Sequence, residues 1–102
     1  DHLRIAKIEV DNDQTLQIVC GAPNIEAGQN VVVAKVGAMM PNGAMIWPGK
    51  LRGVDSYGMV CAARELELPN APKKRGILVL DPAEFAAKTA FDFEKGAKLF
   101  TA

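Results

Sequence analysis

Turn-forming clusters interrupt this chain about every ten residues, and that spacing caps the length of every regular element it can build. Asp11-Asn12-Asp13, Gly21-Ala22-Pro23-Asn24, Glu26-Ala27-Gly28, Pro41-Asn42-Gly43, Pro48-Gly49 and the polar stretch from Pro69 to Arg75 each carry Gly, Pro, Asn or Asp, the residues that bend a backbone. Short apolar runs lie between them. In the first, Ala6, Ile8 and Val10 fall on one face at period two, and Leu16 to Cys20 is a second run, so the pair reads as a hairpin. Val31 to Val36 (VVVAKV) is β-branched and short, the clearest strand. Met59 to Ala63 reads as a strand running into a helical turn at Arg64 to Leu68, and Ile77 to Leu80 as another strand. Asp81-Pro82-Ala83-Glu84 sets an N-cap, a first-turn proline and an acid in order, which predicts a helix to about Thr89. Phe91 to Ala102 reads as a tail anchored by Phe91, Phe93, Leu99 and Phe100. Many short strands with little helix imply an all-β fold with short helices, a small barrel or a sandwich; spacing alone does not choose between the two.

The chain has 102 residues, 49% of them hydrophobic and 24% charged, with 12 Lys+Arg against 12 Asp+Glu. A disordered charged tail is excluded, because it needs low hydrophobicity and a large net charge. A chain of this mass exposes about 5,600 Å² folded against roughly 15,800 Å² unfolded, enough burial for one small core and hence a single domain over residues 1–102. No apolar run approaches the ~20 residues that span a bilayer, and no charged n-region with an apolar stretch opens the chain. Cys20 and Cys61 sit in apolar strings, where a thiol behaves as a small hydrophobe. The expectation is a reduced, cytoplasmic protein without a membrane partner.

Catalytic chemistry finds little to work with. His2 is the only histidine, so a nucleophilic triad would have to draw on it with Ser56, Cys20 or Cys61, and no G-x-S-x-G elbow exists. A metal would need the same His2, Cys20 and Cys61 without C-x-x-C spacing. Neither a G-x-x-x-x-G-K-[ST] loop nor G-x-G-x-x-G is present. No catalytic, cofactor or metal site is expected.

Charge is unevenly placed. Residues 1–34 carry a net −3 and residues 76–102 a net −1, whereas 35–75 carry +4 from Lys35, Lys50, Arg52, Arg64, Lys73, Lys74 and Arg75 against three acids. A polyanion touching only that middle would gain counterion-release affinity; an ordinary solvated face is the plain alternative. Trp47 and Tyr57 lie in the same basic middle. Each suits either a core or edge position or a platform on which a base stacks.

Several strings resemble one family in order. Leu16-Gln17-Ile18-Val19-Cys20-Gly21-Ala22-Pro23-Asn24-Ile25 contains the "QIVCGAPN" signature of the tRNA-binding domain found in the bacterial phenylalanyl-tRNA synthetase β chain and in free-standing relatives. This domain is similar to the endothelial-monocyte-activating-polypeptide-like domains of other synthetases. Asp1-His2-Leu3 resembles the end of an H-P-x-[AS]-D-[KH]-L segment, Val33 to Ala38 a "VALVGA" strand, Lys50 to Cys61 "KLRGVxSxGMLC", and Gly76 to Leu80 a closing "GIIxL" strand. Together these cover most of residues 1–80.

The resemblance implies an OB-fold, a five-stranded Greek-key barrel that binds nucleic acid on one face and its loops, with its first strand falling before Asp1 in a longer parent protein. It implies tRNA as partner, held through backbone and shape, with no chemistry of its own. Lys50 and Arg52 of "KLRG" would meet phosphate, Ser56 and Met59 stand in the S-x-G-M turn, and Asn24 sits at a loop rim. Lys35, Arg64, Lys73, Lys74 and Arg75 complete the expected contacts. A structural or protein-interaction domain of a synthetase β chain is the rival reading, and a homodimeric chaperone-like relative is a third.

Overall fold

The computed structural model describes residues 3–11, 13–72 and 76–100. In chain order its strands are β1 (Arg4–Glu9), β2 (Thr15–Cys20), β3 (Asn30–Val31), β4 (Val33–Ala34), β5 (Gly49–Leu51), β6 (Val54–Ser56), β7 (Met59–Val60) and β8 (Val79–Leu80), followed by a helix α1 (Phe93–Ala97). The fold is all-β with one short α-helix and a 3-10 turn at Lys98–Phe100.

The expected hairpin forms. β1 and β2 pair antiparallel from Arg4 opposite Cys20 to Glu9 opposite Thr15. Ala6 and Ile8 turn inward with Leu16, Ile18 and Cys20, and Val10 is buried, while Ile5, Lys7 and Glu9 face out. Ile18 is almost sealed, at 1% exposure. The turn closes with the Val10 N–H donating to the Gln14 carbonyl at 2.9 Å.

VVVAKV is shorter and more divided than its β-branched run predicts. β3 pairs with β8 and β4 with β7, so the segment changes partner at Val32. Its two faces also serve different cores. Val32 and Ala34 point into the larger one, with Met40, Cys61, Leu66 and Phe85; Val31 and Val33 cover the smaller one around Ile18, Ile25, Val60 and Ile77. Both faces are apolar for that reason. The change of partner is bridged by backbone bonds: the Cys61 N–H donates to the Val32 carbonyl at 2.8 Å, and the Leu78 N–H to the Cys61 carbonyl at 3.0 Å. These ladders remain two-stranded pairs, and no closed barrel forms among the described residues.

The helix expected at 82–89 does not form. Asp81 does act as a cap, its carboxylate accepting from the Ala83 N–H at 2.9 Å and its carbonyl from Glu84 and Phe85 N–H at 3.0 Å. The chain completes one turn and stops. Phe85 is drawn into the larger core, its neighbours Ala86, Ala87 and Lys88 are exposed, and Lys88 takes a left-handed φ of 64°. Without an apolar stripe to bury, so short a helix is marginal. The tail holds the helix instead. Asp92 caps α1, accepting from the Lys95 N–H at 3.1 Å, and Phe91 stacks on Phe85 at 5.7 Å. The turn at Arg64–Leu68 is as expected, with Leu66 and Leu68 buried.

The described chain exposes 6875 Å², well above the roughly 5,600 Å² expected for its mass. Its radius of gyration, 13.3 Å, stays near the ~12.8 Å expected for its length.

Cys61, 1% exposed, lies in the larger core, where burial and the nearby Glu65 carboxylate push its thiol up to about 11. The unfolded chain gives up this proton first, near the ordinary thiol value of about 9. The stability this group confers is intact below that pH and is lost as pH climbs through about 11. Urea titrations across the window should show a loss that the Cys61→Ala variant lacks; parallel profiles would contradict it.

Candidate nucleic-acid interface

Residues 49–56 form a two-stranded hairpin in which Gly49 opposes Ser56, Lys50 opposes Asp55 and Leu51 opposes Val54. Only Arg52 and Gly53 remain for the turn, with φ 53° and 79°. Two central residues in the left-handed region make the primed turn whose twist matches the flanking strands. Gly53 accepts this conformation without cost. Arg52 does not, and is held there at about 1 kcal/mol, which presents its guanidinium at an exposed tip. Lys50 reaches Asp55 across the ladder at 3.9 Å, with both side chains well exposed. Such a pair is worth well under ~1 kcal/mol, so a phosphate could displace the carboxylate at little cost.

The hairpin forms one wall of a cleft of about 1050 Å³. Trp47, Lys50, Leu51, Ser56, Gly58, Met59, Asn24, Ile77 and Arg64 are among its lining residues. The segment at Ser56 is fastened to β2: the Val19 N–H donates to Ser56 Oγ at 3.0 Å, Gln17 Nε2 donates to the Asp55 carbonyl at 2.8 Å, and the Tyr57 N–H donates to the Gln17 carbonyl at 2.8 Å. Asn24 ties its loop to Ile77 by pairing both halves of its amide with that one residue. Its Nδ2 donates to the Ile77 carbonyl at 3.0 Å and its Oδ1 accepts from the Ile77 N–H at 2.9 Å. The carboxamide thus acts as a strand partner in miniature.

Five expected residues therefore meet at this cleft: Asn24, Lys50, Ser56, Met59 and Arg64. They differ in kind. Lys50 and Arg64 are exposed cations, whereas Ser56 is 7% exposed, Met59 packs half-buried on the larger core, and the Asn24 amide is committed to Ile77. Arg52 stands at the tip, outside the lining. Lys73, Lys74 and Arg75 lie outside the described residues, although Pro72 and Gly76 on either side of them line the cleft. Gln17 was not among the expected residues. Its signal was available, since it is the one polar residue in the apolar run Leu16–Cys20.

Lys35 lies elsewhere. It lines a second cleft of about 870 Å³, along with Arg4, Lys7 and Lys88 and the acids Glu9, Asp11 and Glu26. Cations there are engaged: Lys35 with Asp11 at 2.5 Å, Lys88 with Glu9 at 3.5 Å, Lys7 donating to Gln17 at 2.7 Å and Arg4 to the Ile25 carbonyl at 3.1 Å. The hydrogen bond and charge of Lys35 hold the Asp11 carboxyl below the usual carboxylate range. A polyanion would have to break these pairs. In the first cleft Lys50 is held only by the exposed 3.9 Å pair with Asp55, and Glu65 is the one acid among the described lining residues.

Among the described residues no three His, Cys, Asp or Glu side chains converge as a metal site, and no helix is long and apolar enough to cross a membrane.

Removing the Ser56 hydroxyl strands the Val19 N–H beneath the cleft. Ser56→Ala should cost about 1–3 kcal/mol, read as a lower denaturation midpoint with an unchanged denaturant slope. A shift below ~0.5 kcal/mol would show that water replaces the hydroxyl.

Comparison with known proteins identifies the family of the chain. Residues 1–88 match the family described as "Putative tRNA binding domain". The chain is 56% identical over 93 residues to the "Putative tRNA-binding protein YtpR" of Bacillus subtilis, covering 91% of this chain and 45% of that protein. It is 50% identical over 80 residues to the phenylalanine–tRNA ligase beta subunit of Nitratidesulfovibrio vulgaris, covering 78% of this chain and 10% of the subunit. It is 48% identical over 102 residues to the corresponding subunit of Aromatoleum aromaticum, covering 86% and 13%. The chain thus spans under half of the first relative and about a tenth of the ligase subunits. With the match running from the β1–β2 hairpin through the cleft-forming hairpin and β8, the chain belongs to the tRNA-binding domain family.

Proposed function

We propose that this chain is a non-catalytic tRNA-binding module that holds the RNA by backbone and shape across the Trp47–Lys50–Arg64 cleft. The observation that carries the reading is the balance of charge in the two clefts of a member of this family: the described lining of the first sets Lys50 and Arg64 against Glu65, with Lys50 held only in an exposed 3.9 Å pair with Asp55, whereas the second sets four cations beside three acids and engages each cation with a partner. Lys50 and Arg64 would meet phosphate within the cleft and Arg52 at the hairpin tip, and Lys73, Lys74 and Arg75 are expected from the sequence to add to them. Asn24, Ser56 and Met59 then serve as positioning residues rather than RNA contacts. The fold is read as an open form of the OB Greek key; the pairing of β3 with β8 and of β4 with β7 across long stretches of sequence supports this. A tRNA ligand places the protein in the cytoplasm.

A second reading has its own support. β1 pairs with β2 alone among the described strands, and Leu3 and Ile5 beside that edge are 40% and 55% exposed. An open edge with apolar side chains suits a second copy or a neighbouring domain of a longer parent, which would make the module a docking element.

Titration of bulk tRNA at two salt concentrations separates the two readings. The tRNA reading expects saturable binding that weakens steeply with salt. Binding too weak to saturate at low salt would leave the docking reading in its place, with sedimentation reporting the second copy.

A further inference from the structure

We propose that Trp47 is a stacking platform for an unpaired nucleobase, so that the cleft takes RNA presenting a splayed-out nucleotide in preference to a blunt duplex. This rests on the tRNA-binding reading and adds to it the part of the RNA that enters the cleft.

Trp47 is the most exposed large apolar side chain of the described residues, at 68%. It gains little from burial, so filling the core does not account for its position. It is also firmly held. Ile46 packs half-buried on the larger core, donates its N–H to the Ala38 carbonyl at 2.9 Å and accepts from the Gly37 N–H at 2.8 Å. Two residues beyond Trp47, Gly49 enters the ladder opposite Ser56. Between them Pro48 fixes its own φ and confines Trp47 to extended backbone. Alternation then turns the indole outward where Ile46 turns in. A large, flat ring on a fixed backbone has only two side-chain torsions to lose when a ligand covers it.

Its surroundings choose the ligand. Trp47 shares the cleft with the cations Lys50 and Arg64 and with Met45 and Leu51, which are 40% and 47% exposed. An apolar protein partner would have to bury the charges of Lys50 and Arg64 away from water. A nucleotide matches both parts, its base on the indole and its phosphate toward the cations. Bases inside an A-form duplex are already stacked and cannot reach the ring, so the preferred site is a loop, bulge or end.

Trp47 is the chain's only tryptophan, so its emission reports directly on this contact. The intact chain is titrated with a short oligoadenylate, with a blunt RNA duplex and with bulk tRNA, each end-labelled so that anisotropy reports binding in variants that lack the tryptophan. Oligoadenylate should quench Trp47 saturably and the duplex should quench it weakly. Trp47→Ala should weaken oligoadenylate binding roughly ten- to one hundred-fold, and Trp47→Phe should restore most of it. The circular dichroism and melting of both variants should match the parent, since the side chain is mostly solvated. Unchanged emission with oligoadenylate bound, or full affinity in Trp47→Ala, would overturn the platform while leaving tRNA binding in place. Failure of every RNA probe to bind would overturn both. Sedimentation showing a dimer that Trp47→Ala dissolves, with no quenching by oligoadenylate, would assign the ring to a second copy instead.

Discussion

Gly58→Ala is expected to destabilise the fold by about 3 kcal/mol or more. Gly58 has φ 134°, a conformation that L side chains rarely adopt. A Cβ there would stand 2.8 Å from the Ala34 carbonyl oxygen and 3.3 Å from Ile18 Cδ1. Neither neighbour yields easily. Ala34 is pinned in β4 by its pairing with Met59, and Ile18 is sealed in the smaller core. Backbone strain and steric overlap therefore fall on the same substitution. For a domain of this size the loss corresponds to a drop of roughly 12 °C or more in Tm, readable by circular dichroism. Gly49→Ala is the matched control, since a Cβ there meets nothing within 4 Å. A Gly58→Ala midpoint within a few degrees of the parent would show that β4 moves aside.

The second large effect falls on binding. The paired reversal Lys50→Glu with Arg64→Glu should lower tRNA affinity roughly a hundred-fold or more at low salt and flatten the salt dependence by about two contacts' worth. Both side chains are exposed and line the same cleft. Stability should therefore stay within ~1 kcal/mol of the parent. Reversing Lys35 provides the contrast: it lies in the other cleft, beside Asp11, and should leave RNA affinity nearly intact. Equal losses from both changes would point to diffuse attraction rather than to a seat in the first cleft.

The sequence disclosed the elements governed by local rules. The hairpin of β1 and β2 follows from period-two alternation around Asp11–Asp13, and the turns at 41–43 and 64–68 follow from their own residue types. Elements decided by distant partners were not legible. The split at Val32 depends on β7 and β8, which lie far along the chain. The helix moved from Asp81 to Asp92 because Phe85 is needed in the core and Phe91 in turn needs Phe85. The candidate site was legible in its residue types more than in their roles. Lys50 and Arg64 were visible as charge. Nothing in the string Gly21–Asn24 announced that the asparagine would clip Ile77, 53 residues away, and Lys35 looked like its fellow cations until Asp11 was seen beside it.

The segment from Val31 to Ala34 has a wider consequence. One thread of backbone is a shared wall between two hydrophobic compartments, so neither can loosen while the other stays tight. Melting reported from Cys61 on one side and from Ile18 on the other should trace the same curve.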